Sequence, residues 1–121
     1  MNSIVKLKEN RDFRRAYSRG KSFVSPYLVL YVNKNRTKNI RIGITAGKKI
    51  GNAVCRNKAK RLIRAGFQNI DCSITSGYDL VIVARTRILS VKSTVVAYSL
   101  EKLLHNAGVA EKNEKNEKNI D

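Results

Sequence analysis

The stretch GNAVCRNKAKRLIRAGF, Gly51–Phe67, separates a basic face from an apolar face when it is wound as a helix. At about 100° per residue, four cations and one amide fall within an arc of about 140°. We call this arc the basic face, and its members are Arg56, Asn57, Lys60, Arg61 and Arg64. Leu62, Cys55 and Ile63 lie in the opposite, apolar arc. The pattern predicts a helix over Ala53–Phe67 that packs on a core and presents its cations to a partner.

Acidic residues are absent from the basic face, although an ordinary exposed helix face mixes Glu with Lys. The imbalance continues along the chain, which has 121 residues, 25 Lys or Arg, 9 Asp or Glu and a net charge of +16. Between Asp12 and Asp71 there is no acid, whereas the same stretch contains fifteen Lys or Arg. Because unopposed like charges repel, the composition favours a polyanionic partner, nucleic acid before an anionic membrane surface. A generically basic soluble protein is the competing interpretation.

Outside this helix, the sequence predicts an α+β domain in the order α-β-β-β-α-β-α. Periodicity and capping residues indicate two further helices, and β-favouring runs indicate strands, one of them short and near Ser22. The helices are predicted over Asn10–Arg19 and Val91–Asn106, and the longer strands over Ser22–Asn33, Ile40–Ala46 and Tyr78–Arg85. We expect the first two longer strands to form a hairpin and the third to be central, which gives a small two-layer α/β sandwich.

Composition changes at the end of the chain, where EKN occurs three times in Glu111–Asn119. The segment has no apolar period and cannot bury enough surface to offset the entropy of ordering. We therefore expect one nucleic-acid-binding domain over residues 1–108 and a disordered tail over residues 109–121. The longest apolar run, Tyr27–Val32, is far shorter than the ~20 residues that cross a bilayer. No membrane association and a cytoplasmic location are expected.

The residues of a protein nuclease are not grouped in this sequence. Before the tail there are five acids, which follow no metal-ligand spacing: Glu9, Asp12, Asp71, Asp79 and Glu101. Two cysteines, Cys55 and Cys72, and the single His105 do not have the spacing of a zinc site. We predict that the polypeptide has no catalytic residue, no metal site and no cofactor of its own.

A specific resemblance is carried by KKIGNAV at residues 48–54, followed by RNKAKRLIR at Arg56–Arg64. Together they resemble the signature of the bacterial ribonuclease P protein subunit, whose "RNR" motif is similar to Arg56–Arg64. Leu7-Lys8, Asp12-Phe13 and Gly20 resemble that family's N-terminal segment, and the resemblance extends over about residues 4 to 105.

The resemblance implies a fold like a domain of ribosomal protein S5, with a left-handed β-α-β crossover. It implies one protein bound to one catalytic RNA, with Mg²⁺ held largely by RNA phosphates. The complex would remove the 5′ leader from precursor tRNA, and the basic face would contact the RNA subunit near its catalytic centre. The leader cleft would contain or adjoin Phe13, Tyr17, Tyr31, Lys48 and Lys49.

Two other functions are compatible with the charge. A ribosomal-type structural RNA-binding protein would share the charge and the fold, but not the long central motif. A DNA-binding regulator would require a helix-turn-helix or a symmetric dimer, and neither pattern is visible. The residues alone also leave Phe13 and Tyr17 equally compatible with core packing and with base stacking.

Overall fold

The computed structural model describes residues 4–112. Within that range there are three α-helices and seven β-strands. The helices are α1 (Asn10–Arg19), α2 (Ala53–Gln68) and α3 (Ser93–Asn106). The strands are β1 (Ile4–Lys6), β2 (Lys21–Val24), β3 (Leu28–Lys34), β4 (Ile40–Thr45), β5 (Cys72–Ile74), β6 (Tyr78–Ala84) and β7 (Ala110–Lys112). The α+β class is confirmed, whereas β1, β5 and β7 are additions to the predicted order.

The main sheet has five strands in the order β1-β4-β6-β3-β2. As its apolar run predicts, β6 is central; it is parallel to β4 and antiparallel to β3. The hairpin expected between Ser22–Asn33 and Ile40–Ala46 is wrong, because β6 lies between those two segments. Instead β3 pairs with β2 across a turn in which the Ser25 hydroxyl accepts the N–H of Leu28 at 3.2 Å.

Helices cover both faces of this sheet. Leu30 and Ile82 have no exposed area and lie in the larger core beneath α2 and α3. Tyr31 and Val81 belong to a smaller cluster on the opposite face, where α1 contributes Ala16. The predicted two-layer sandwich therefore carries α1 as a partial further layer. The reason is visible in β3, where apolar residues occupy both alternating sets and each face needs cover.

A β-α-β unit joins β4 to β6 through α2, since β4 and β6 are parallel neighbours. The left hand of this crossover stays a prediction. Because the two strands are parallel, their carboxyl ends, Thr45 and Ala84, lie at one edge of the sheet. A single 3₁₀ turn at Lys48–Ile50 leads from that edge into α2. No helix in the described range is long and apolar enough to cross a bilayer.

The boundary expected at residue 108 needs correction. Val109 is 1% exposed within the core, and β7 pairs antiparallel with β5 through Ala110–Lys112. One apolar side chain and three ladder residues therefore extend the folded part beyond the predicted limit. Residues 113–121, which include the rest of the EKN segment, lie outside the described residues.

Candidate nucleic-acid interface

Local backbone chemistry fixes the start of α2. The side-chain oxygen of Asn52 accepts the N–H of Cys55 at 3.0 Å, which satisfies one of the unpaired donors of the first turn. Gly51 has φ +137°, a conformation that side-chain-bearing residues rarely adopt. The two residues therefore set the direction in which the chain enters α2.

The basic face lies on the outward side of α2, as its periodicity predicts. Arg56 and Lys60 are half-buried, and the other three members are exposed. None of its cations forms an ion pair with a residue in the range 4–112. On the inner side Ala59 and Ile63 have no exposed area and anchor the helix to the core. The face thus presents positive charge that no described acid neutralises, while its contact with RNA stays a prediction.

Aromatic rings meet on the other face of the sheet. The rings of Tyr17 and Tyr31 pack edge to face, with centroids 5.0 Å apart and an interplanar angle of 78°. Tyr17 is 42% exposed, whereas Phe13 and Tyr31 are half-buried in the smaller cluster. A cavity of about 460 Å³ opens beside them, and we call it the aromatic groove. It is lined by Asn10, Phe13, Arg14, Tyr17 and Thr45.

The question of core packing or stacking therefore has a mixed answer. Phe13 and Tyr31 contribute to packing, and Tyr17 keeps ring surface open to a ligand. Burial raises the pKa of the Tyr17 phenol above its ordinary value, against the opposing effect of its hydrogen bond with Thr45. The shift extends the range above neutral pH over which the phenol is uncharged, so the ring can stack on a base without an added negative charge.

A glycine shapes the floor beneath Phe13. A Cβ atom at Gly43 would lie 2.5 Å from Cε1 of the Phe13 ring, closer than real Cβ contacts. The absence of a side chain in β4 therefore lets α1 approach the sheet at this point. The position of the aromatic groove depends on that close approach.

Two further cavities show which predicted residues come together. A cavity of about 380 Å³ at the β1 edge is lined by Phe13 together with Lys60 and Arg64, so it joins the aromatic and basic surfaces. Lys48 and Lys49 line a different cavity, of about 440 Å³, and they do not line the aromatic groove. Of the residues predicted for the leader cleft, Phe13 and Tyr17 thus line the aromatic groove, whereas Lys48 and Lys49 line a separate cavity. Tyr31 lines neither and contributes through its ring contact with Tyr17.

A buried ion-pair network holds α1 beside the sheet, and none of its residues was predicted as a site residue. The Nε and Nη2 atoms of Arg41 each donate to a carboxylate oxygen of Asp79 at 2.7 Å, and Nη2 also donates to Asp12 at 3.3 Å. Asp79 is 2% exposed. The hydrogen bond between Arg41 and Asp79 raises the pKa of Arg41 above its ordinary value, because its effect is larger than the opposing effect of desolvation. The sequence signal is an acid directly before the apolar run of β6.

The chain is similar to proteins of one known family. The model of the family described as Ribonuclease P matches residues 1–108. The chain belongs to this family. A ribonuclease P protein component from Clostridium botulinum (strain 657 / Type Ba4) is 42% identical over 105 residues, which cover 86% of this chain and 95% of that protein.

Solved structures of ribonuclease P proteins share the fold. The protein from Staphylococcus aureus has a TM-score of 0.76 and 36% identity, covering 88% of this chain and 97% of that one. The protein from Thermotoga maritima has a TM-score of 0.73 and 32% identity, covering 84% and 96%. As a ribonuclease P protein component, the chain is the protein subunit of a ribonucleoprotein endoribonuclease and works with an RNA subunit. The ribosomal-type alternative is not favoured.

The donor chemistry of this ribonuclease P chain bears on metal binding. Within the described range, no three His, Cys, Asp or Glu side chains lie together in a way that could hold a metal ion. Cys55 and Cys72 are free thiols, and burial, followed by the nearby charges of Glu101 and Asp71, raises the pKa of Cys72. These side chains therefore do not form a set of metal ligands within that range.

Proposed function

We propose that the chain binds the catalytic RNA of ribonuclease P through the basic face and the 5′ leader of precursor tRNA through the aromatic groove. The supporting observation is the β1-edge cavity, where Phe13 meets Lys60 and Arg64. An RNA strand at this edge would contact unpaired cations and an aromatic ring together. Such a pairing suits single-stranded RNA, whose bases stack while its phosphates need neutralising.

The contribution of the protein would be electrostatic and positional. Three cations at four-residue intervals on α2, Arg56, Lys60 and Arg64, lie along one side of the helix, and the two arginines offer fork-shaped donors to phosphates. Rings in the aromatic groove would hold unpaired leader bases, which mature tRNA lacks. Holding substrate in the productive geometry lowers the barrier without a protein nucleophile. Lys48 and Lys49, in their separate cavity, would contribute charge beside the groove.

Magnesium would be held mainly by RNA phosphates in this proposal. The described range supplies no cluster of metal-ligating side chains, whereas the basic face supplies cations that attract phosphate. Metal ions in the complex would polarise the scissile phosphate and generate the attacking water. One protein per RNA subunit, in the cytoplasm where precursor tRNA is processed, completes the proposal.

The deciding experiment is cleavage of precursor tRNA by a bacterial ribonuclease P RNA at low magnesium. Four mixtures are compared: RNA alone, protein alone, both together, and RNA with the Arg61→Gln/Arg64→Gln variant. We expect release of the 5′ leader to require both partners and to fall with the variant. Tight RNA binding without stimulation of cleavage would favour a structural RNA-binding role. Cleavage by the protein alone would contradict the prediction that the polypeptide has no catalytic residue.

A further inference from the structure

A second basic cavity lies on the flank of α1 opposite the aromatic groove. It has a volume of about 570 Å³ and lies between α1, the sheet and the turn that joins β3 to β4. We call it the arginine pocket, and its charged lining residues are Arg15, Arg19, Lys34, Arg36, Arg41 and Asp79. At about 100° per residue, Arg15 and Arg19 lie about 120° to 160° around the helix from Phe13 and Tyr17. The two cavities therefore flank α1 on opposite sides.

Most of the positive charge of the arginine pocket is not neutralised. Arg41 is committed to Asp79, and Arg15 lies 4.0 Å from Asp12. Arg19, Lys34 and Arg36 form no ion pair with any residue in the range 4–112. Three unpaired cations around one concavity repel one another unless an anion joins them.

Hydrogen bonds fix the backbone that carries two of these cations, Lys34 at the end of β3 and Arg36 in the turn that follows it. The Asn35 amide group donates to Asp79 Oδ1 at 2.9 Å, and its side-chain oxygen accepts the N–H of Thr37 at 2.9 Å. The backbone N–H of Asn35 donates to the carbonyl of Gly77 at 2.8 Å. Lys34 and Arg36, on either side of Asn35, therefore extend from a fixed backbone. A backbone that is already ordered loses less entropy when its side chains bind a ligand.

We propose that the arginine pocket binds a phosphate group of an RNA backbone, at a site separate from the basic face. Guanidinium groups match the paired oxygens of a phosphodiester. The negative charge of Asp79, which also lines the pocket, is balanced by its two hydrogen bonds from Arg41, and its repulsion of a bound phosphate is therefore reduced. Asn33 places the pocket on the same face of the sheet as Tyr31, two residues earlier in β3.

Two RNA strands can supply this phosphate. One is the leader, continued past the aromatic groove over the same face of the sheet. The other is the RNA subunit itself. The two RNAs are those of the proposed function, and the phosphate site depends on that function only through them. The test distinguishes binding of the leader from binding of the RNA subunit.

The test compares Arg19→Gln/Arg36→Gln with Arg87→Gln/Lys92→Gln, which removes the same charge from exposed positions outside the described cavities. One arm measures the affinity of the protein for the RNA subunit. The other measures the affinity of the assembled complex for precursors with leaders of about 4 and about 16 nucleotides, a span that covers the usual sizes of single-strand binding sites. Salt dependence is recorded in both arms.

We expect the pocket variant to bind about tenfold more weakly than its control in one arm, with a salt slope that is lower by about 0.7 for each phosphate no longer neutralised. A loss of affinity confined to the long-leader precursor identifies the leader as the source, and a loss of assembly identifies the RNA subunit. Equal affinities and slopes for the two variants in both arms would overturn the proposal. Failure of the wild-type complex to prefer precursor over mature tRNA would instead contradict the proposed function.

Discussion

Arginine has opposite roles on α2 and at Arg41, which lies on the α1 side of the central sheet. On the α2 face, Arg61 and Arg64 are exposed and have no acidic partner within residues 4–112. On the α1 face, Arg41 is bound to Asp79 and Asp12, and the groups left open nearby include the ring of Tyr17. The α2 face therefore offers charge to a ligand, whereas the α1 face uses part of its charge to position an aromatic surface.

The difference predicts two kinds of RNA contact. Binding through unpaired cations releases counterions and weakens steeply as salt rises. Binding through stacked rings depends far less on salt and requires unpaired bases. Substitutions on the two faces should consequently separate assembly with the RNA subunit from discrimination between precursor and mature tRNA.

The largest effect is expected at Asp79, whose loss would break the α1 face itself. Asp79→Asn removes the charge that pairs with Arg41, and it should lower the free energy of unfolding by about 3 kcal/mol, since Arg41 then keeps only its longer contact with Asp12 at 3.3 Å. Urea unfolding measures the change. Glu9→Gln is the control, because its ion pair with Arg11 is exposed and should contribute no more than about 1 kcal/mol. Equal losses for the two variants would show that the network does not hold α1.

Two glycines provide the next comparison. Gly43→Ala would place a methyl group 2.5 Å from the Phe13 ring, and Gly66→Ala would place one 2.8 Å from Cγ1 of Val96 on α3. Each should destabilise the fold by about 1–3 kcal/mol through overpacking. Only Gly43→Ala should also lower the preference of the assembled complex for precursor over mature tRNA. An equal drop for Gly66→Ala would tie that preference to general stability.

Charge on the α2 face is tested by Arg61→Gln and Arg64→Gln. Each should weaken assembly with the RNA subunit about tenfold and reduce the salt slope by about 1, with stability changed by less than about 0.5 kcal/mol. Filter binding over a series of salt concentrations measures both quantities. Arg87→Gln, at an exposed position in the 3₁₀ turn that follows β6, serves as the matched control. Unchanged slopes would remove α2 from the docking surface.

The smallest effect is expected for Tyr17→Phe, which keeps the ring and removes the hydroxyl that contacts Thr45. Because burial raises the pKa of Tyr17, the wild-type ring stays neutral as pH rises toward its ordinary value of about 10. Leader-dependent affinity of the two proteins should therefore agree within about twofold from about pH 6 to pH 9. A wild-type affinity that declines over this range while the variant stays constant would assign the hydroxyl a direct role.

Helix periodicity made the basic face predictable, because the positions of residues around a helix follow from their spacing alone. Strand pairing was less accessible. Alternation located β3 and β4 but could not show that β6, more than thirty residues downstream, would separate them. Composition likewise misplaced the end of the fold, since Val109 is one apolar residue beside a polar repeat, and its burial depends on a core that distant segments of the chain build.

The candidate site shows the same limit. Repetition of Arg11, Arg15 and Arg19 every four residues marks a basic side of α1 in the sequence. The arginine pocket exists only because the end of β3 and the turn after it bring Lys34 and Arg36 to that side. A neighbour supplied by tertiary structure cannot be obtained from helical spacing.

The most direct test of the division between the two faces is the ratio of precursor to mature tRNA affinity in the assembled complex. Tyr17→Ala removes an exposed ring on the α1 face, and Tyr98→Ala removes a ring that is 63% exposed on α3, beyond the other face of the sheet. We predict that Tyr17→Ala lowers the ratio about tenfold, the value of one stacked base, and that Tyr98→Ala leaves it unchanged. Equal ratios for the two variants would contradict the assignment of the leader to the α1 face.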